Sequence, residues 1–256
     1  MTAEYPLFTS FVVLACILAG AGLGVFLRNK LPDDHLSAAT KDMIRAGTAL
    51  ISTIAALVLG LLIASANTVY QSQSSLLQQL TANIVVLDGT LAQYGPEADS
   101  ARNLLRRGVV SLADRIWNEN GSKSVRGQPF EASASALSFY DEILKWSPAN
   151  DTQRSVQNRA ISIAQDLAKT RLLLFTQAGA TIPVPFLVVL VSWLAVIFAS
   201  FSLFSDTNAT SIVATGVFAI SASAAIFLIL ELSQPFTGIM AIPSEPLRNI
   251  LGAVSP

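Results

Sequence analysis

Four stretches of the chain are apolar almost without interruption, at residues 7–27, 47–66, 185–204 and 211–230. A bilayer core about 30 Å thick takes about 20 such residues as a helix, so each stretch predicts a membrane span. Between the second and the third the pattern turns periodic. Leu105, Val109, Leu112 and Ile116 recur at helical spacing, as do Val156, Ala160, Ile163, Leu167 and Leu174, and each set predicts a helix with one buried face. Turn residues bound these helices. Gly95 and Pro96 stop one helix, Glu97 and Asp99 give the next an acidic first turn, and NENGSK from residue 118 ends it. A shorter helix is expected over about residues 129–146, ended by SPAND, with Asp151 as the cap of its successor. IPVP at residues 182–185 marks the start of the third span. No run alternates as a strand does, and the expected fold class is an all-α integral membrane protein. Four transmembrane helices, two plus two, would flank a helical extramembrane domain. The expected division is a first helix pair in 1–66, a helical domain in 67–182, a second pair in 183–233 and a tail in 234–256.

The second span belongs to a much longer helix. From Ser37, a suitable N-cap, to Tyr94 no proline intervenes, and 58 residues of unbroken helix would run about 87 Å, of which the bilayer accounts for about a third. The protruding part carries a heptad seam: Tyr70, Gln73, Leu77, Leu80, Ile84, Leu87 and Leu91. Extended backwards, the register passes through Ala56, Leu59, Ile63 and Ala66, which predicts one continuous face. Beside it a second stripe, Ala46, Thr53, Gly60, Asn67, Ser74, Thr81 and Asp88, is small or polar at every step of seven. Such a stripe has two readings. Small residues let helices approach closely in a membrane. Alternatively, copies of the helix surround an axis and the stripe lines a wet passage, whose lack of fixed charge offers a passing ion neither trap nor barrier. The absence of charge is long: 42 residues separate Arg45 from Asp88 without one. Asp88 itself sits among apolar neighbours and invites a structural pair with Arg102 or Arg106, while Gly89 weakens the helix locally.

Composition narrows the function classes. The 256 residues are 52% hydrophobic and 13% charged, with mean hydropathy +0.54, values of a membrane protein. Sixteen basic residues are scattered, and the expectation is no nucleic-acid partner. Cys16 lies in an apolar run and His35 has no second imidazole, so neither suggests a metal site, and no cofactor is expected. GAGLG at residues 20–24 lacks the strand that a dinucleotide loop requires; Gly20 and Gly24 read instead as a GxxxG packing pair. No HExxH, GxSxG or P-loop is present, and the chain is not expected to be an enzyme. Glu231, at the end of the fourth span, suits a cap or packing role beside the QPFTG turn better than proton relay.

Several segments together resemble one family. AALVLGLLIASA at 55–66, ANIVVLDGTLAQYGPEA at 82–98, ARNLLRR after it, and LILELSQPFTGIMAIPSEPLRNIL at 228–251 are similar to the bestrophin-like domain of bacterial membrane proteins, whose function is uncharacterised. The family's name implies kinship with bestrophins, pentameric anion channels with four spans and a long second helix lining the pore. The resemblance therefore implies a homo-oligomer in the bilayer, a pentamer if bestrophin-like, with small inorganic anions as its cargo. The pore-lining candidates are Thr53, Leu59, Gly60, Ile63, Asn67 and Ser74. Glu231, Pro235, Phe236 and Gly238 form a motif after the last span, resembling the Pro-Phe-Gly of bestrophins. The acidic run of the animal calcium clasp does not follow: Ile239, Met240 and Ala241 stand there.

The expectation is thus an oligomeric channel for small anions, in the inner (plasma) membrane. The alternative is a non-conducting scaffold or sensor that dimerises through its heptad helix. Sidedness is nearly balanced. Four basic residues lie in the loop 28–46 against Lys169, Arg171 and Arg248 opposite, which by the positive-inside rule puts the insert outside. The resemblance implies the reverse, and the insert is taken as cytoplasmic.

Overall fold

The computed structural model describes residues 6–32, 37–117, 134–177, 182–206 and 208–253. His35, the NENGSK stop and residues 129–133 of the expected third helix lie outside them. Among the described residues the chain forms eight α-helices: α1 (Pro6–Lys30), α2 (Ala38–Tyr94), α3 (Asp99–Trp117), α4 (Ala134–Leu144), α5 (Asp151–Gln177), α6 (Val184–Phe204), α7 (Ala209–Leu232) and α8 (Glu245–Ala253). Helices α1, α2, α6 and α7 are each long and apolar enough to cross a membrane. The chain divides into two compact units, one of Met1–Thr68 with Thr181–Ser233, the other of Val69–Ala180 with Gln234–Pro256.

In the first unit the spans pack around Val13, Ile17, Leu190, Ile197, Phe198 and Ile226. Two glycines set how closely α1 approaches α6. A Cβ at Gly20 would lie 2.5 Å from the Ala195 carbonyl oxygen, and one at Gly24 would strike the Ala199 carbonyl. This is the small-residue packing that the GxxxG pair predicts. A polar tie joins α1 to α7, where the buried Ser223 hydroxyl donates to the Ser10 carbonyl at 2.7 Å. At the other end of α1, Arg28 donates to the Ser205 carbonyl and pairs with Asp206 at 2.7 Å. The α6–α7 connection is thereby held beside the end of α1. Asn208 and Ser211 then form a capping box that starts α7.

The second unit is built on the heptad seam. Gln73, Leu77, Leu80, Ile84, Leu87 and Leu91 are all buried, with Tyr70 packed against the same core. Their partners include Leu105, Val109, Leu112 and Ile116 of α3 and Ala160, Ala164 and Leu174 of α5. Asp88 and Arg102 make the expected pair as a two-pronged bridge, 2.8 and 3.0 Å, with both side chains largely buried. The hydrogen bond to Asp88 holds the Arg102 guanidinium charged beyond its ordinary range, against the opposing effect of burial. The helix runs through Gly89 to Tyr94, where Gly95 takes φ +120° and Pro96 opens a 3₁₀ turn, Pro96–Ala98. Tyr94 stacks on Trp146 at 4.3 Å between centroids.

Two expectations change. Asn150, one residue earlier than Asp151, caps α5: its side chain accepts from the Gln153 amide at 2.8 Å, while Gln153 accepts from the Ala149 amide. An acid inside the first turn serves the helix dipole, whereas the capping oxygen must stand just outside it. The seam, moreover, does not continue backwards as one face. Ala56 and Ile63 are exposed; Ala55 and Ala66 are buried, with Ile51, Val58, Leu59 and Leu62 against the first unit's core. A straight helix drifts about 20° per heptad against a strict repeat of seven, so the buried face moves round α2 along its length.

Candidate functional site

That drift decides what α2 leaves uncovered in its membrane half. The face used for packing holds Thr48, Ala55 and Ala66. The stripe of Thr53, Gly60 and Asn67 turns away from it and is exposed, as is Ile63 at 37%. A Cβ at Gly60 would meet nothing within 4 Å. Thr53 and Gly60 lie inside the second span and Asn67 follows its last residue, so the exposed row runs out to the end of the span.

Its hydrogen-bonding groups differ in what they offer. The Thr53 hydroxyl gives its proton to the Ala49 carbonyl at 2.9 Å, leaving oxygen lone pairs outward. Thr68 does the same toward Ala64. Asn67 makes no hydrogen bond within the chain, so its amide keeps two N–H donors free. Of Thr53, Gly60 and Asn67, only Asn67 carries side-chain N–H donors.

The remaining candidates are distributed differently. Leu59 packs against the core of the first unit and stands about 100° round the helix from Gly60. Ser74 is half-buried in the second unit. The two candidate sets, pore face and post-span motif, are therefore different kinds of feature. Glu231 is 2% exposed in the last turn of α7 and is engaged by neighbouring groups. After it the chain turns tightly. The Ser233 hydroxyl donates to the Leu230 carbonyl, the Thr237 amide to the Gln234 carbonyl and the Ile242 amide to the Pro235 carbonyl, the last at 2.7 Å. Gly238 takes φ +92°, a conformation that resists side chains. Phe236 meets Trp117 edge to face at 5.9 Å, and the Trp117 indole donates to the Ile242 carbonyl at 2.8 Å. Pro235 is buried and Gly238 exposed, so the motif is a docking turn that fixes the tail against α3. Trp117 in this role was invisible in the sequence, since its partner lies 125 residues on.

Other chemistry is sparse. Among the described residues no group of three or more His, Cys, Asp or Glu could hold a metal ion, and Cys16 is exposed and free. In α5, burial lowers the Arg171 guanidinium, and the like charge of Arg115 adds to the effect; both sit near the Phe175 ring.

Four apolar spans, a long second helix and a helical extramembrane unit define an all-α, multi-pass membrane protein. The family model for the bestrophin-like domain matches residues 15–247, and the chain belongs to that family. A crystal structure of a bacterial bestrophin homologue from Klebsiella pneumoniae, a point mutant of that protein, has the same fold: TM-score 0.63 at 14% identity, covering 94% of this chain and 98% of that one. No curated protein matches.

Proposed function

We propose that this protein is an oligomeric channel for small anions, assembled so that copies of α2 surround the pore. The reading rests on the exposed face of Thr53 and Gly60 within the second span, continued by Asn67 at its end. The chain covers the opposite side of α2 with its own helices and leaves this side to water or to another copy. Family membership supports the same conclusion, with a pentamer as the assembly, the second unit in the cytoplasm and the inner membrane as the location. Within the face, Asn67 supplies the donors and Ile63 the apolar constriction, where a dewetted ring gates. Leu59 supports the pore helix from behind, and Ser74 is the pore candidate that falls in the second unit.

A second reading retains one supporting observation. Gly60 leaves room for a close helix contact, so α2 could pair with α2 in a non-conducting dimer. Purified protein in liposomes separates the two. Chloride efflux is expected from the wild type and is expected to fall at least tenfold, about 1.4 kcal/mol of added barrier, in Asn67→Trp. No efflux from wild-type protein whose mass in detergent is that of a dimer overturns the channel.

A further inference from the structure

A groove of about 720 Å³ opens between α2 and α6 inside the first unit, lined by Arg45, Thr48 and Ser52 of α2 and by Ser200, Phe201 and Phe204 of α6. Its α2 residues follow the spacing i, i+3, i+7, so they form one face. Ser52 precedes Thr53 and stands about 100° round the helix from it, so the groove takes the side of α2 next to the Thr53, Gly60 and Asn67 stripe. The chemistry is graded along its length. Arg45 stands near the end of the span, where the loops between the paired spans lie, and is exposed. Thr48 and Ser52 follow one and two turns deeper, and Phe201 and Phe204 form the facing wall.

The hydroxyls are set apart by what they do not bond. Ser200 donates to the Val196 carbonyl of its own helix at 2.9 Å, and Thr53, Thr68, Ser192 and Ser221 likewise turn back on carbonyls four residues earlier. Thr48 and Ser52 make no hydrogen bond within the chain. Both donors remain available to an acceptor in the groove. No carboxylate lines it, and Asp206, next to the lining residue Ser205, is engaged by Arg28. One cation with free hydroxyls below it and an aromatic wall beside it matches an amphiphile with an anionic head and an apolar tail.

We propose that this groove binds one anionic phospholipid per chain. The phosphate accepts from the Arg45 guanidinium at headgroup level, with Thr48 and Ser52 hydrogen-bonding the glycerol and ester oxygens and an acyl chain lying along Phe201 and Phe204. A guanidinium suits this role because its fork of N–H donors matches two phosphate oxygens at once.

The test is native mass spectrometry of the full chain released from nanodiscs of equal phosphatidylglycerol and phosphatidylcholine. Wild type is expected to retain phosphatidylglycerol in about fivefold preference, the effect of one basic residue at an anionic surface. Arg45→Gln removes the preference and Arg45→Lys keeps part of it. Ser52→Trp fills the groove and loses the retained lipid, with the mass of the assembly unchanged. Equal retention of the two lipids by wild type, or a preference that survives Arg45→Gln, overturns the proposal. So does displacement of the lipid by glycerol 3-phosphate, which would make the site one for free phosphate. A changed assembly mass in the variants would give the groove to a second copy, and that too overturns it.

Discussion

The two halves of α2 share one helix, yet they solve opposite problems. From Gln73 to Leu91 the seam is closed by the chain itself: Leu80, Leu87 and Leu91 are fully buried, and the acid on that half, Asp88, is matched by Arg102. From Thr53 to Asn67 the corresponding polar stripe is left open. A heptad row is therefore not one kind of surface. In water its apolar members drive burial, while in a bilayer lipid is as apolar as leucine, and only the small and polar members distinguish one face from another.

Removing one partner of the buried pair should produce the largest loss in the closed half. Asp88→Ala strands the Arg102 charge and is expected to cost about 3–5 kcal/mol, read as a lowered midpoint in thermal unfolding of the detergent-solubilised protein. Asp88→Leu combined with Arg102→Leu should recover most of it, and no recovery would mean that the pair acts through other neighbours. Next come the apolar positions, which contrast the halves directly. Leu87→Ala is expected to cost about 2–5 kcal/mol, whereas Ile63→Ala should stay within about 0.5 kcal/mol while changing chloride efflux. Equal costs at the two sites would show that Ile63 is packed against another helix, as the dimeric scaffold requires. Gly24→Val tests the close approach of α1 to α6, and overpacking against the Ala199 backbone should cost about 1–3 kcal/mol in the same unfolding assay. One expected change has the opposite sign. Gln73 is fully buried and neither amide atom has a partner, so Gln73→Leu should raise the midpoint by the equivalent of about 1–3 kcal/mol. A lowered midpoint would show that the amide is satisfied in the assembled protein.

Much of the fold was legible because its signals are local. Apolar runs of span length, the Gly95–Pro96 stop and the spacing of Leu105 to Ile116 each act within a few turns of chain, and the helices follow them closely. The Asp88–Arg102 pair was legible for the same reason, being 14 residues apart across one turn. Contacts between distant segments were not. The Trp117 bond to Ile242, the Arg28 clip on Asp206 and the groove beneath Arg45 join residues more than a hundred positions apart. Arg45, Thr48 and Ser52 carry a visible helical spacing, but nothing in it announces Phe201 and Phe204 on the other wall. The continuous face expected from Ala56 to Leu91 failed for a geometric reason: a strict heptad follows the helix only where a partner makes it supercoil.

For the candidate site, the sequence by itself determined which residues could stand on an uncharged stripe, because seven-residue spacing keeps Thr53, Gly60 and Asn67 near one line whatever surrounds the helix. Only the tertiary structure decided which side of that helix the chain would cover. Packing of α1, α6 and α7 around the first unit's core draws in Ala55 and Leu59 and turns the stripe outward, since one helix cannot bury two opposite faces against the same core.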